Sequence, residues 1–173
     1  MNELEKLIHP DGTTITLVDQ SVEHHNEYLL IEHKITKLGA INGPHWHPEL
    51  TEYFTVKEGK MRIKVDGEDF ILIPGQHCKV SPRQIHQFWN ESSQNLIFLH
   101  EVRPPGNHWN MFKLIHTLDM KNQVNSKGIP RNPLWLSLAW ECIDGYLVGI
   151  PPVIQRIVFG NLARFARAIG YRI

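Results

Sequence analysis

Met61, Ile63 and Val65 alternate with Arg62 and Lys64, Asp66-Gly67 follows at once, and a second run, FILI, occupies residues 70–73. Alternation with period two marks a strand with one buried face. Asp-Gly between two such runs supplies the positive φ that both central positions of a two-residue type I′ turn require. The stretch therefore predicts a hairpin, and an antiparallel sheet around it. Turn residues at Glu58-Gly59, Pro74-Gly75, Ser81-Pro82 and Glu91-Ser92-Ser93 separate further short apolar runs at 13–18, 29–35, 53–56 and 96–99. Many short strands at close spacing suit a barrel or a sandwich.

The period changes after Arg103-Pro104-Pro105-Gly106. Trp109, Phe112, Ile115 and His116 recur at helical spacing behind a cap at Asn107, and Pro133 opens a second helical run, LWLSLAWECID. Pro151-Pro152 opens a third, ended by Gly170, in which Ile154, Ile157, Val158, Leu162, Phe165 and Ile169 share a face and Arg156, Arg164 and Arg167 lie away from it. The expected organisation is a β region over 1–103 and a helical extension over 104–173, packed together as one structural unit. A chain of 173 residues with 42% apolar content suits one core better than two.

Charge divides at nearly the same place. Residues 1–100 hold 9 Lys/Arg against 14 Asp/Glu, and residues 101–173 hold 9 against 4. Neither half has the dense basic patch with interleaved aromatics that nucleic-acid binding needs. No uncharged apolar run reaches about 18 residues, and the start MNELEKLIHP lacks the basic flank and apolar stretch of a targeting segment. Cys78 and Cys142 stand far apart in unrelated contexts, which argues against a disulfide framework and against a cysteine metal site. A cytoplasmic protein without nucleic-acid or membrane partners is expected, and exposed sheet edges with apolar helices favour a homodimer.

The chemistry concentrates in GPHWHPELTE, residues 43–52. On a strand His45 and His47 project to the same side and Trp46 to the other. Glu52 has the wrong parity for an unbroken strand. Pro48 interrupts the ladder, so that a new strand can begin on which Glu52, Phe54 and Val56 share a face. His86 is the third imidazole candidate, on the run HQFWN. Three imidazoles and a carboxylate form a nitrogen and oxygen donor set suited to a first-row divalent metal with one or two positions open.

At these residues the chain resembles the cupin superfamily. Its first motif is Gly, five residues, His-x-His, three or four residues, Glu, six residues, Gly; its second is Gly, five residues, Pro-x-Gly, two residues, His, three residues, Asn. His45, His47, Glu52 and Gly59 fit the first. Its leading glycine is read as missing, with Gly43 two residues before His45 and Ala40 nearer the expected place. Gly75, His86 and Asn90 fit the second, in which Ser81 replaces the proline and Arg83 the second glycine. The resemblance covers residues 25–103 and implies a double-stranded β-helix of jelly-roll type. It also implies His45, His47, Glu52 and His86 as ligands of a divalent transition metal (iron, manganese, nickel or zinc). The alternative is a barrel of the same shape whose histidines are satisfied by hydrogen bonds or act as acid and base without metal, as in the sugar-nucleotide epimerases of this fold.

Around that set, Phe54, Phe88 and Phe98 are expected to line an apolar pocket on the inward faces, and His100, sharing parity with Leu96 and Phe98, is a candidate to face that pocket, as a group behind the ligands or as a proton carrier. His77 should face solvent. His24, His25, His33, His108 and His116 have no spacing that draws them to a site. Arg83 must adopt a different turn from the family's glycine or hold a strained one, and beside His86 it is a candidate to hold a substrate carboxylate. The helices have three readings: a cap on the barrel mouth, a layer packed on the sheet or a second subunit, or a basic amphipathic helix on a membrane surface. The last is set aside because the polar face is thin in lysine. The function expected is that of a small-molecule enzyme of dioxygenase or isomerase type, and the alternative is a non-catalytic module that holds a small ligand or metal.

Overall fold

The computed structural model describes residues 5–23 and 25–173; His24 lies outside the described residues. Two compact units divide the chain, one ending at Pro105 and the other spanning Gly106–Ile173. The first contains β1 (Lys6–Ile8), β2 (Thr14–Ser21), β3 (Tyr28–Ile35), β4 (Gly39–Ala40), β5 (His45–Trp46), β6 (Thr51–Glu58), β7 (Met61–Val65), β8 (Glu68–Leu72), β9 (His77–Val80), β10 (His86–Asn90) and β11 (Leu96–Arg103). One sheet runs β1-β2-β3-β11-β6-β9, and the other runs β5-β10-β7-β8 with β4 also paired to β10. The fold is a double-stranded β-helix of jelly-roll type, mainly β, followed by three helices.

The hairpin forms as its turn chemistry requires. Val65 pairs with Glu68 across the loop, and Asp66 and Gly67 take φ of 49° and 95°. Alternation then decides what each strand buries. Leu29, Ile31, His33 and Ile35 of β3 turn inward, as do Leu96, Phe98, His100 and Val102 of β11. Residues of both sheets meet in one apolar cluster that includes Phe54, Val56, Met61, Ile63, Phe88 and Phe98. Buried area of this kind contributes about 25 cal/mol per Å² and is the main favourable term for the unit.

The motif residues outside the histidines have structural work. Asn90 is buried; its Nδ2 donates to the Lys37 carbonyl at 3.1 Å and its Oδ1 accepts from the Ser92 amide at 2.8 Å. Ser92 Oγ in turn accepts from the Lys60 amide. Gly59 lies against this knot at φ 83°. The first motif also has its leading glycine, contrary to the expectation: Gly39 stands six before His45, at φ 95°.

The second unit holds α1 (His108–Met120), α2 (Pro133–Ile143) and α3 (Pro152–Ala168). Asn132 caps α2, its side chain accepting from the Leu134 amide at 2.9 Å. Asn107 occupies the cap position of α1 but its side chain makes no capping bond. The stripe read for α1 is half-buried, and the core is built instead from Leu114 and Leu118 with Val124, Leu138, Ala139, Ala163 and Ala166. The larger difference is on α3. Ile154, Ile157, Val158, Phe165 and Ile169 do share a face, but that face is exposed. The side that packs carries Gln155, Ala163 and Ala166. Small residues allow close approach of α2, and Gln155 latches the preceding loop through the Leu147 amide and the Leu147 and Ile150 carbonyls at 2.7–3.0 Å. Among the described residues no helix is long and apolar enough to cross a membrane.

A Cβ on residue 59 would lie 2.7 Å from the Asn95 carbonyl oxygen and press on Ser92 Oγ. Gly59→Ala is therefore expected to cost about 2–4 kcal/mol, from steric conflict plus an unfavourable positive φ, read as a lowered urea midpoint at unchanged m-value.

Candidate metal centre

β5 is only two residues long, and Pro48 separates it from β6. His45 sits directly opposite His86 in the β5–β10 pairing, and their ring centroids are 4.2 Å apart. His47 lies just past the end of β5, its ring 5.1 Å from that of His45 and 5.6 Å from that of His86. One ring nitrogen from each of the three falls within 4.8 Å of the others. Glu52 enters from β6, on the buried face shared with Phe54 and Val56. The break at Pro48 thus does what strand parity demanded.

Exposure is 1% for His86, 3% for Glu52 and 4% for His47, while His45 is half-buried and forms the open edge. Backbone carbonyls orient two of the rings: His45 Nδ1 lies 2.8 Å from Gly43 O, and His86 Nδ1 3.1 Å from Gln84 O. A carbonyl only accepts, so each Nδ1 carries the hydrogen, and in the neutral ring Nε2 is left with a lone pair for a metal. The strand bearing His86 is buckled to the hairpin turn, since Asp66 accepts from the Ile85 amide at 2.9 Å and from Gln84 Nε2 at 3.0 Å.

Glu52 divides its oxygens. Oε1 accepts from His100 Nε2 at 2.9 Å. Oε2 faces His86 Nε2 at 2.9 Å and His47 Nε2 at 3.6 Å. Although they are close, His86 Nε2 and Glu52 Oε2 are not aligned for a hydrogen bond, and both are fully buried. Buried polar atoms set this way are expensive, and a cation among them would satisfy both. The donor set therefore fits a first-row divalent ion.

Electrostatics follow from the same geometry. Burial, then the neighbouring charges of His86 and His47, push His45 down to about 3, so it is neutral at pH 7. Burial opposes charge on Glu52, but the hydrogen bond from His100 and the close approach of His86 outweigh it and hold the carboxyl well below its usual range. Burial likewise opposes charge on His86, yet the Glu52 carboxylate outweighs it and raises that imidazole.

The remaining predicted residues are distributed differently. Phe54, Phe88 and Phe98 are packed ring to ring, with centroids 5.2–6.2 Å apart, inside the apolar cluster. His100 stacks on Phe54 at 4.7 Å. Arg83 holds a left-handed turn despite its side chain: φ is 69°, the residue is exposed, and its amide donates to the His47 carbonyl at 2.7 Å. His77 is exposed, as expected. His33 was not singled out from sequence, yet it is buried, stacks on Phe98 at 4.8 Å and lies 5.5 Å from the ring of His100. Its parity with Leu29, Ile31 and Ile35 was the available signal.

Residues 35–101 match the family profile described as the cupin domain, and that span holds all four candidate ligands. This part of the chain has the cupin fold. Solved structures similar to this chain include a sugar phosphate isomerase of the cupin superfamily from Silicibacter pomeroyi, at 18% identity and TM-score 0.47, with 58% of this chain and 71% of that one covered. Others are KdgF from a Halomonas species, at 15% identity and TM-score 0.47 over 58% and 86% of the two chains, and a predicted oxalate decarboxylase from Thermotoga maritima, at 19% and 0.48 over 57% and 90%. No curated protein sequence matches the chain.

The pKa directions set the stability of the metal-free cupin against pH. His45 has a folded value of about 3 against 6.5 unfolded, so its contribution is full above pH 6.5 and is lost as pH falls toward 3. Glu52 adds to that acid-side loss below its unfolded 4.5. His86, raised above 6.5, contributes below that pH and loses its contribution as pH rises through its folded value. Chelator-treated protein should therefore be most stable on the acid side of neutrality, and His45→Asn should flatten the slope between pH 3 and 6.5 in urea titrations.

Proposed function

We propose that His45, His47, Glu52 and His86 hold one divalent transition metal ion, and that the domain is a small-molecule enzyme of dioxygenase or isomerase type working at that ion. The observation that carries this reading is the convergence of three imidazole nitrogens within 4.8 Å, two of the rings turned by backbone carbonyls, with a carboxylate oxygen facing His86 and His47. When bound, such an ion supplies Lewis acidity or a site for dioxygen beside the substrate.

The chain's own groups would then do the following. His100 holds Glu52 Oε1, so that Oε2 turns toward His86 and His47; it is a positioning residue. The Phe54, Phe88 and Phe98 rings exclude water from beneath the ligands. Arg83, charged, exposed and tied by its amide to the His47 carbonyl, is assigned to a substrate carboxylate. A metal-free acid–base reading draws on one observation, the close approach of His86 to the depressed Glu52 carboxylate.

Metal content separates these. After reconstitution with ferrous iron, manganese, nickel or zinc, elemental analysis should find about one ion per chain, and His47→Ala and His86→Ala should each weaken binding by about 100-fold or more. No bound ion under any of these conditions sinks the metal reading in favour of the acid–base one. Oxygen uptake or isomerisation across a panel of small organic acids should then occur only in the loaded protein, with Arg83→Ala raising KM for acidic substrates and leaving metal content unchanged. Tight ligand binding without turnover would identify a non-catalytic module.

His100 has a separate readout. His100→Leu should weaken metal binding about 10-fold and alter the visible spectrum of the cobalt-substituted protein. His100→Gln, which can still donate to Oε1, should restore both; equal behaviour of the two variants would leave His100 a packing residue.

A further inference from the structure

We propose that α3 docks the helical unit onto an anionic lipid surface. The inference rests on the helical unit alone and is independent of the metal reading. α3 has 17 residues, a length of about 25 Å, and its outer side carries Val153, Ile154, Ile157, Val158 and Phe165, all exposed. The segment before the helix exposes Leu147 and Val148 as well. Within the unit, the packed side of the helix is the opposite one, with Gln155, Ala163 and Ala166. Hydropathy thus points outward, an arrangement that costs solubility unless something covers it.

Charge identifies what covers it. Residues 145–173 contain four arginines and no Asp, Glu or Lys. Arg167 is engaged by Glu141, and Arg172 donates to the Arg167 and Tyr171 carbonyls. Arg156 and Arg164 have no ion pair among the described residues. They flank a cleft of about 320 Å³ over Gly160, lined also by Ile157 and Asn161, where the missing Cβ leaves open space. At 100° per residue Arg164 falls at the edge of the apolar strip, between Val153 and Ile157, and Arg156 lies farther round on the same side, beyond Val153. An apolar face bordered by unpaired cations is the pattern of a helix lying in a membrane interface, with side chains among the acyl chains and guanidinium groups at the lipid phosphates.

The same charges disfavour a second copy as occupant. Two α3 helices crossing antiparallel about Gly160 would set Arg156 beside Arg164 of the second copy, with no carboxylate on either helix to separate them. A partner protein would need an apolar groove with acid groups along one edge. A phospholipid leaflet offers both everywhere.

The test is flotation of the full chain with vesicles of phosphatidylcholine alone and of phosphatidylcholine mixed with phosphatidylglycerol. With about five-fold per arginine, the wild type should partition onto the mixed vesicles about 25-fold more strongly, and added salt should reduce that preference. Ile154→Asp combined with Ile157→Asp should abolish binding to both vesicles. Arg156→Gln combined with Arg164→Gln should remove only the preference for phosphatidylglycerol. Far-UV circular dichroism and thermal melts serve as fold controls, because all four positions are on the outer side or border of α3. Failure of the folded wild type to float with the mixed vesicles overturns the proposal, as does binding that neither double variant changes. A concentration-dependent dimer that Ile157→Asp dissociates would make a second copy the occupant and overturn it equally.

Discussion

A carboxylate carried into an apolar barrel survives as an anion only if donors surround it, and Glu52 is where this fold meets that condition. Its two oxygens are separately engaged, one by His100 and the other facing His86 and His47. Each of those imidazoles comes from a different stretch of chain, so the carboxylate ties the end of β5, β6, β10 and β11 to one point. Removing a donor would leave a buried charge uncompensated, which is far more costly than losing an exposed ion pair. The imidazoles that face Oε2, those of His86 and His47, are also groups that would surround a cation placed among them.

The sheets make that convergence affordable. Below Glu52 the interior is filled by apolar side chains, and His100 is held against Phe54 while His33 lies flat on Phe98. Stacked rings of this kind have little rotational freedom, so the polar tips they carry are pre-oriented. On the other side the Asp66 turn grips the segment leading into His86, and the Arg83 amide grips the carbonyl of His47. The strained φ of Arg83 is thus set where two ligand-bearing segments meet.

The helical unit obeys a different rule. Its core is made by close approach of small residues on α3 to α2, and the larger aliphatic side chains of α3 are left outside. Packing there follows shape and the Gln155 latch, and hydropathy is reserved for whatever the outer face meets.

Strand parity is a local property, and from it the sequence by itself determined most of the site: His45 and His47 on one side of a strand, Glu52 restored to that side by the break at Pro48, and the inward phenylalanines. Turn chemistry likewise determined the hairpin at Asp66-Gly67, because positive φ at both positions is a demand on individual residues. His33 is legible by the same parity, although no spacing along the chain ties it to the other histidines. Gly39 was also in plain view, needing only the correct count to His45. Three things were decided by tertiary structure alone. The division of Glu52 between His100 and His86 depends on which strands become neighbours, and the ring-on-ring packing of the phenylalanines depends on how the two sheets close. The outward turn of the apolar face of α3 depends on the size match between Ala163, Ala166 and the neighbouring helix, which periodicity in one segment does not encode.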